Sequence, residues 1–230
     1  MYKNARIGVV IPALDEEQAI ARVIADIPEW VDEIVVADNG SRDRTAEIAR
    51  QAGARVVHER ERGYGAACQA GIGALRDADI VVFLDGDHSD DPRELAALVG
   101  PIAEGRADFV IGSRVTGRAA RGSLTPQQRF GNWLACRLIQ GFWNVTYTDL
   151  GPFRAIRRKT LDALAMTDRK YGWTVEMQIK AARMGVRTLE TPVSYRQRIG
   201  TSKISGTLRG SAKAGIGILG SIARSALDRR

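Results

Sequence analysis

Ile80-Val81-Val82-Phe83-Leu84-Asp85-Gly86-Asp87 runs five apolar residues straight into two acids held either side of a glycine. A short, unbroken apolar run rich in β-branched residues reads as a strand buried on both faces. The same pattern recurs along the chain. Upstream lie Ile7-Gly8-Val9-Val10-Ile11-Pro12, the run at 33–37 and Arg55-Val56-Val57-His58; downstream lies Asp108-Phe109-Val110-Ile111. Between them the spacing turns helical. Ile20, Val23, Ile24 and Ile27 mark a helix over 16–30, with others expected at 45–52 and 65–76, and Pro92 sits where the first turn of the next would begin. Strands without a polar face, alternating with helices, predict an α/β, Rossmann-like architecture: a mostly parallel central sheet with helices on both faces.

Beyond residue 113 the pattern loosens. Residues 114–128 are polar and rich in Gly and Arg, which reads as a mobile loop. Helices are expected at 130–143 and 174–184, and strands at 153–157 and 188–195. Residues 206–227 carry Leu208, Ala212, Ile216, Leu219, Ile222 and Leu227 at helical spacing, with Arg209, Lys213 and Arg224 between them. This C-terminal amphipathic helix suits either an anionic membrane surface or packing against protein, its own sheet or a second subunit in a homo-oligomer. No linker divides the chain. We read 1–230 as a single domain, with a regular α/β half at 1–113, a less regular half at 114–205 and the basic helix at 206–230.

The chain has 230 residues, 44% hydrophobic and 27% charged, a balance that excludes disordered and fibrous classes. Cys68 and Cys136 show neither a pairing motif nor metal-ligand spacing and fit buried positions in a reduced, cytoplasmic protein. No leader pattern precedes Ile7 and no apolar run is long enough for a membrane span, so an integral anchor is not expected. The net charge is +7, and 196–230 holds eight basic residues against the single acid Asp228, so that the excess resides there. A second stretch, 111–137, is acid-free and contains Arg114, Arg118, Arg121, Arg129 and Arg137. Basic segments placed this way point to anionic partners.

In such sheets, ligands bind beyond the carboxyl ends of the strands. There the sequence places Asp15-Glu16-Glu17, Asp38-Asn39-Gly40-Ser41-Arg42-Asp43 and Asp85-Gly86-Asp87. Acids gathered on one rim repel one another unless a cation relieves them, and hard oxygen donors suit Mg2+ or Mn2+. The triplet alone is weak, since Asp77-Ala78-Asp79 repeats it ahead of the strand. Its position after the apolar run is what counts. The phosphate cradles of P-loop and dinucleotide folds are missing, whereas Arg62-Gly63-Tyr64-Gly65 opens a helix and is expected to turn backbone N–H groups toward a ligand.

At these residues the chain resembles glycosyltransferase family two, the inverting enzymes of GT-A fold. The resemblance runs through 10–17, 36–43, Gly63-Tyr64-Gly65 and Asp85-Gly86-Asp87. It continues into Thr148-Asp149-Leu150-Gly151-Pro152-Phe153-Arg154-Ala155, similar to polyprenyl-phosphate sugar synthases of the dolichol-phosphate mannose synthase type. The resemblance implies a nucleotide-diphospho-sugar donor, UDP- or GDP-linked, bound by Pro12, Ala13, Asp15, Glu16, Asp38, Gly63, Tyr64, Asp85, Gly86 and Asp87, with the metal on Asp85 and Asp87. It also implies a hexose transferred to a polyprenyl phosphate at a peripheral membrane site. Lys203 would close over the diphosphate, and Arg114 and Arg129 would offer forks to phosphate oxygens. The alternative is a soluble phosphorylated or hydroxyl acceptor; an attacking phosphate would need no strong general base, whereas an attacking hydroxyl would need Asp149 or Glu176 in that role. Leu14 and Asp15, Asp38-Asn39 and the absence of Gln near His88 depart from the family pattern and leave base and sugar open. Two other classes are weaker: in Rossmann-like phosphohydrolases the acidic triplet follows the first strand rather than the fourth, and a nucleic-acid binder would want a recognisable module and more aromatics.

Overall fold

The central apolar runs become strands because their side chains are enclosed on both faces of one sheet. In the computed structural model, which describes residues 1–200 and 208–227, β1 (Ile7–Ala13), β2 (Glu33–Asp38), β3 (Arg55–His58), β4 (Ile80–Phe83), β5 (Phe109–Ala119), β6 (Arg154–Arg157) and β7 (Thr188–Tyr195) form a seven-stranded sheet. Its order is β3-β2-β1-β4-β6-β5-β7. β6 runs antiparallel to both neighbours and the remaining pairs are parallel. The helices are α1 (Ile20–Ala25), α2 (Thr45–Gln51), α3 (Tyr64–Ala74), α4 (Leu95–Ala103), α5 (Pro126–Trp143), α6 (Arg158–Leu164), α7 (Trp173–Arg183) and α8 (Leu208–Leu227).

Alternate residues of each central strand serve opposite layers. Val9 and Ile11 pack with Ile20, Val23 and Leu98, whereas Val10 packs with Cys68, Phe83 and Trp173. Burying one such side chain stabilises by about 1.5–3 kcal/mol, which makes the sheet a stiff base for whatever its ends carry. Both cysteines are buried and free. The register sets Ala13 opposite Asp38 and Val10 opposite Phe83, so β2, β1 and β4 deliver their ends to one rim.

Several elements differ from the sequence reading. β5 does not stop near Ile111 but runs on to Ala119, where a loop was expected. Its outer part is polar and gains order from β7, with Arg118 paired to Ser194 and Ala119 to Tyr195 after a bulge. α5 starts at Pro126, ahead of Phe130, because Thr125 and Gln128 form a reciprocal capping box with Pro126 in the first turn. α1 is shorter than the 16–30 spacing suggested, and α6 went unforeseen. The C-terminal helix packs on protein through one face: Ile222 is buried, and Ser221 Oγ donates to Asp168 Oδ2 at 3.0 Å. Ile216 and Leu219 of the same helix stay exposed.

The turn into α3 shows what its glycines are for. Gly63 N donates to Asn39 Oδ1, Gly65 N to the Lys170 carbonyl and Ala66 N to the Arg169 carbonyl. The expectation that these N–H groups serve a ligand is therefore not met, because Asn39 takes the first and the 168–170 segment the other two. A Cβ on Gly65 would collide with the Asp168 carbonyl oxygen, and one on Gly63 with that of Arg169. Gly65→Ala should lower unfolding stability by about 1–3 kcal/mol, read by urea denaturation, because backbone must move to admit one methyl group.

Candidate active site

The strand ends open onto a cavity of about 1060 Å³. Of the expected residues, Pro12, Ala13, Glu16, Gly63, Tyr64, Asp85, Gly86, Asp87 and Arg114 line it. Asp15 and Asp38 are absent from that lining. Asp15 Oδ1 accepts from Arg42 N at 2.7 Å, while Asp38 accepts from Ser41 N at 3.1 Å and pairs with His58 Nδ1 at 3.0 Å. Both carboxylates shape the 38–43 turn and leave Asn39 to face the cavity. Asn39 was not singled out from sequence. Its amide donates to the carbonyls of Glu59 and Glu61, tying β2 to the turn that carries Gly63.

The Asp85-Gly86-Asp87 turn forms the acidic floor. Tyr64 donates its hydroxyl to Asp85 Oδ1 at 3.1 Å. Burial, then the neighbouring charge of Asp87, pushes the Asp85 carboxyl up to about 7. Asp87 Oδ1 accepts from both the N–H and the hydroxyl of Ser89, at 2.9 and 2.6 Å. Three residues on, Asp90 is buried with neither carboxyl oxygen bonded. Burial and the charges of Asp85 and Asp87 push it far above the carboxylate range, so that it keeps its proton. Nothing in the sequence distinguished this acid from the hydrogen-bonded Asp87 and Asp91 on either side of it. Among the described residues, no three His, Cys, Asp or Glu side chains are grouped to cage a metal. The turn thus suits an ion that takes carboxylate oxygens from Asp85 and Asp87 and its other ligands from substrate and water.

Arg114, where β5 passes the rim, is the fixed cation. Its backbone N and its Nε both donate to Asp149 Oδ2 at 2.8 Å, its Nη2 to Asp149 Oδ1 at 2.7 Å, and its guanidinium lies 5.0 Å from the Tyr195 ring centre. Burial would lower the Arg114 pKa, but the bonds and charge of Asp149 outweigh it and raise it. Asp149 is itself fully buried and absent from the cavity lining. Its segment is held by Glu190, which accepts from Thr148 N and Asp149 N, and by Asn132, which accepts from Leu150 N. Gln178 donates to the Asp149 carbonyl, and the buried Arg154 donates to the carbonyls of Leu150, Gly151 and Thr174. Glu176, the other candidate base, accepts from Thr167 N, Thr167 Oγ1 and Asp168 N and pairs with Lys180 at 2.8 Å. Burial would raise its pKa, yet these donors hold it low.

Arg129 is exposed and does not line the cavity, and Lys203 lies outside the described residues. His88 turns to Asp26, at 2.9 Å. Tyr171 lines the cavity, while Trp173 is core, edge-on to Phe83 at 6.1 Å. A cation that sequence reading left among the tail charges does reach the rim: Arg198 pairs with Glu16 and with Asp87.

The chain is similar to proteins already assigned to a family and to solved structures. The family model described as glycosyl transferase family 2 matches residues 8–164. An uncharacterized glycosyltransferase of Mycobacterium tuberculosis is 39% identical over 207 residues, covering 89% of this chain and 92% of that protein. Dolichyl-phosphate hexose transferase of Haloferax volcanii is 35% identical over 215 residues, 92% of each chain. Glucosyl-3-phosphoglycerate synthase of M. tuberculosis, solved with Mn2+, UDP-glucose and phosphoglyceric acid, superposes with a TM-score of 0.78 at 25% identity, over 97% of this chain and 80% of that one.

A carboxyl with its pKa raised to about 7 is neutral below that pH and must lose its proton to hold a cation. The affinity for Mn2+ should therefore climb between pH 6 and 8 and level off above, as measured by titration calorimetry. Asp85→Asn should abolish both the binding and its pH dependence; a flat wild-type profile would contradict the assignment.

Proposed function

The chain belongs to glycosyltransferase family 2, and from that premise we propose that it transfers a hexose, with inversion, from a UDP- or GDP-sugar to a polyprenyl phosphate. The observation that carries the choice of acceptor is the state of the two candidate bases. Asp149 is clamped by Arg114, and Glu176 is occupied by Thr167, Asp168 and Lys180. Neither is poised to take a proton from a hydroxyl. A phosphate monoester needs no such base, since its second pKa is about 6 and it is already a dianion for the most part near neutral pH. It needs a held cation, which Arg114 supplies.

Pro12, Ala13, Glu16 and Asn39 would bound the nucleoside side of the cavity, and Asp85 and Asp87 would hold Mg2+ or Mn2+ against the diphosphate. When bound, that ion neutralises charge developing on the departing nucleoside diphosphate. Arg114 would orient the acceptor phosphate so that its oxygen attacks the anomeric carbon opposite the leaving group. Asp149, on this reading, is a positioning residue that aims Arg114. The resemblance to dolichyl-phosphate hexose transferase supports a lipid acceptor.

The cavity continues under the first turn of α5 and beside Ile218 of α8. On these helices Phe130, Trp133, Ile216 and Leu219 are exposed, and neither α5 nor α8 contains an acid. An apolar, basic face beside the acceptor end supports peripheral attachment to an anionic membrane surface. Among the described residues no helix is long and apolar enough to cross a membrane. A soluble phosphorylated acceptor remains the second reading, favoured by the likeness to the phosphoglyceric-acid complex.

With UDP- and GDP-hexoses carrying labelled sugar, we expect metal-dependent label in the butanol-extractable fraction when undecaprenyl or dolichyl phosphate is supplied. Transfer to 3-phosphoglycerate but to neither lipid would overturn the lipid assignment and leave the donor chemistry standing.

A further inference from the structure

The cation that already sits in the acidic rim is Arg198. It belongs to the segment following β7, and that segment is stitched onto the turn after β4. Arg196 N donates to the Ser89 carbonyl at 2.7 Å, Ile199 N donates to the Asp87 carbonyl at 2.9 Å, and Asp90 bridges to Tyr195. The Arg196 side chain pairs with Asp91. Backbone on both sides of Arg198 is thereby anchored, and its side chain reaches into the cavity. There Nη2 meets Glu16 Oε1 at 2.6 Å and Nη1 meets Asp87 Oδ2 at 3.2 Å, while Nε is buried without an acceptor.

The detail that matters is which oxygen Arg198 holds. Asp87 Oδ1 is occupied by both donors of Ser89, so Oδ2 is the oxygen left to face a ligand. Arg198 stands at that oxygen. A divalent ion and a guanidinium have the same reason to be there, because each relieves the repulsion between neighbouring carboxylates. They cannot share one oxygen without repelling each other.

We propose that Arg198 is the resident counter-ion of the donor-free rim, that it competes with the divalent metal for Asp87, and that on displacement its guanidinium fork passes to the diphosphate. The inference rests on the nucleotide-sugar reading of the site and adds a switch within it. The orphaned Nε fits this account, since in the rim only the two Nη groups are used, whereas a phosphate accepts from Nε and Nη2 together. Because the flanking backbone is tied down, the exchange is a rotation of one side chain. Metal and nucleotide then assist each other's binding: the metal frees the fork, and the phosphate gives it a partner.

The test measures Mn2+ bound to the nucleotide-free protein by electron paramagnetic resonance, and separately the affinity for UDP and GDP at saturating Mn2+. Arg198→Gln should bind Mn2+ alone about tenfold more tightly than wild type, the scale of one lost competing contact, and should bind the better nucleotide several-fold more weakly. Arg198→Lys, which keeps the charge, should stay close to wild type for Mn2+. Arg196→Gln removes the same charge two residues away and should alter Mn2+ affinity less than about twofold, since solvent and salt screen a separated charge. Unchanged or weaker Mn2+ binding by Arg198→Gln would overturn the proposal, as would an equal gain in Arg196→Gln, which would make the effect one of net charge. None of these readouts depends on the acceptor, so a failed lipid assay leaves them intact.

Discussion

Carboxylates crowd the ends of β1 and β4 because parallel strands deliver their termini side by side, and each acid there survives by a different means. Asp87 divides its oxygens between Ser89 and Arg198. Glu16 takes the other arm of Arg198. Asp85 leans on Tyr64 and has its pKa raised to about 7. Asp90, with no donor, keeps its proton. In water such groups would disperse; here the apolar strands beneath them, buried on both faces, prevent it. The repulsion held in the rim is what would draw a divalent cation to the site proposed above.

The opposite wall answers with a cation held as firmly. Arg114 emerges from a strand whose outer half depends on β7 for its order, and it is gripped through Nε and Nη2 by Asp149. Asp149 in turn sits on a backbone whose polar groups are taken up by Glu190, Asn132, Gln178 and Arg154. Such a chain fixes a charge before substrate arrives and spares its reorganisation during reaction. Asp149, which has the look of a catalytic acid in its sequence motif, has both carboxyl oxygens engaged by that arginine, and in the function proposed above it would act by aiming it.

Legibility in the sequence followed physical reach. β1, β2 and β4 and the acids after them could be read because burial on both faces writes an apolar run and the acids follow it directly. The outer part of β5 could not: its residues are polar, and its partner at Ser194 lies far along the chain. The helix start at Thr125 was written in a capping box but masked by the Gly-Arg-rich composition before it. Asp149 and Arg114 were both named, yet their pairing across 35 residues appears only in three dimensions. Arg198 was one basic residue among several in the tail, and Asp90 one acid among several after β4. Sequence does not show which charge is buried.

The claim on which the rest depends is that Asp85 and Asp87 act together as a cation cradle for a nucleoside diphosphate. The direct measurement is the thermal shift produced by UDP and GDP, with and without Mn2+, in the wild-type protein and in Asp85→Asn/Asp87→Asn. A ligand that binds only the folded state raises its melting temperature by mass action. The account predicts a nucleotide shift in the wild type that requires Mn2+ and is lost in the double variant; an equal shift in both proteins, indifferent to the metal, would contradict it.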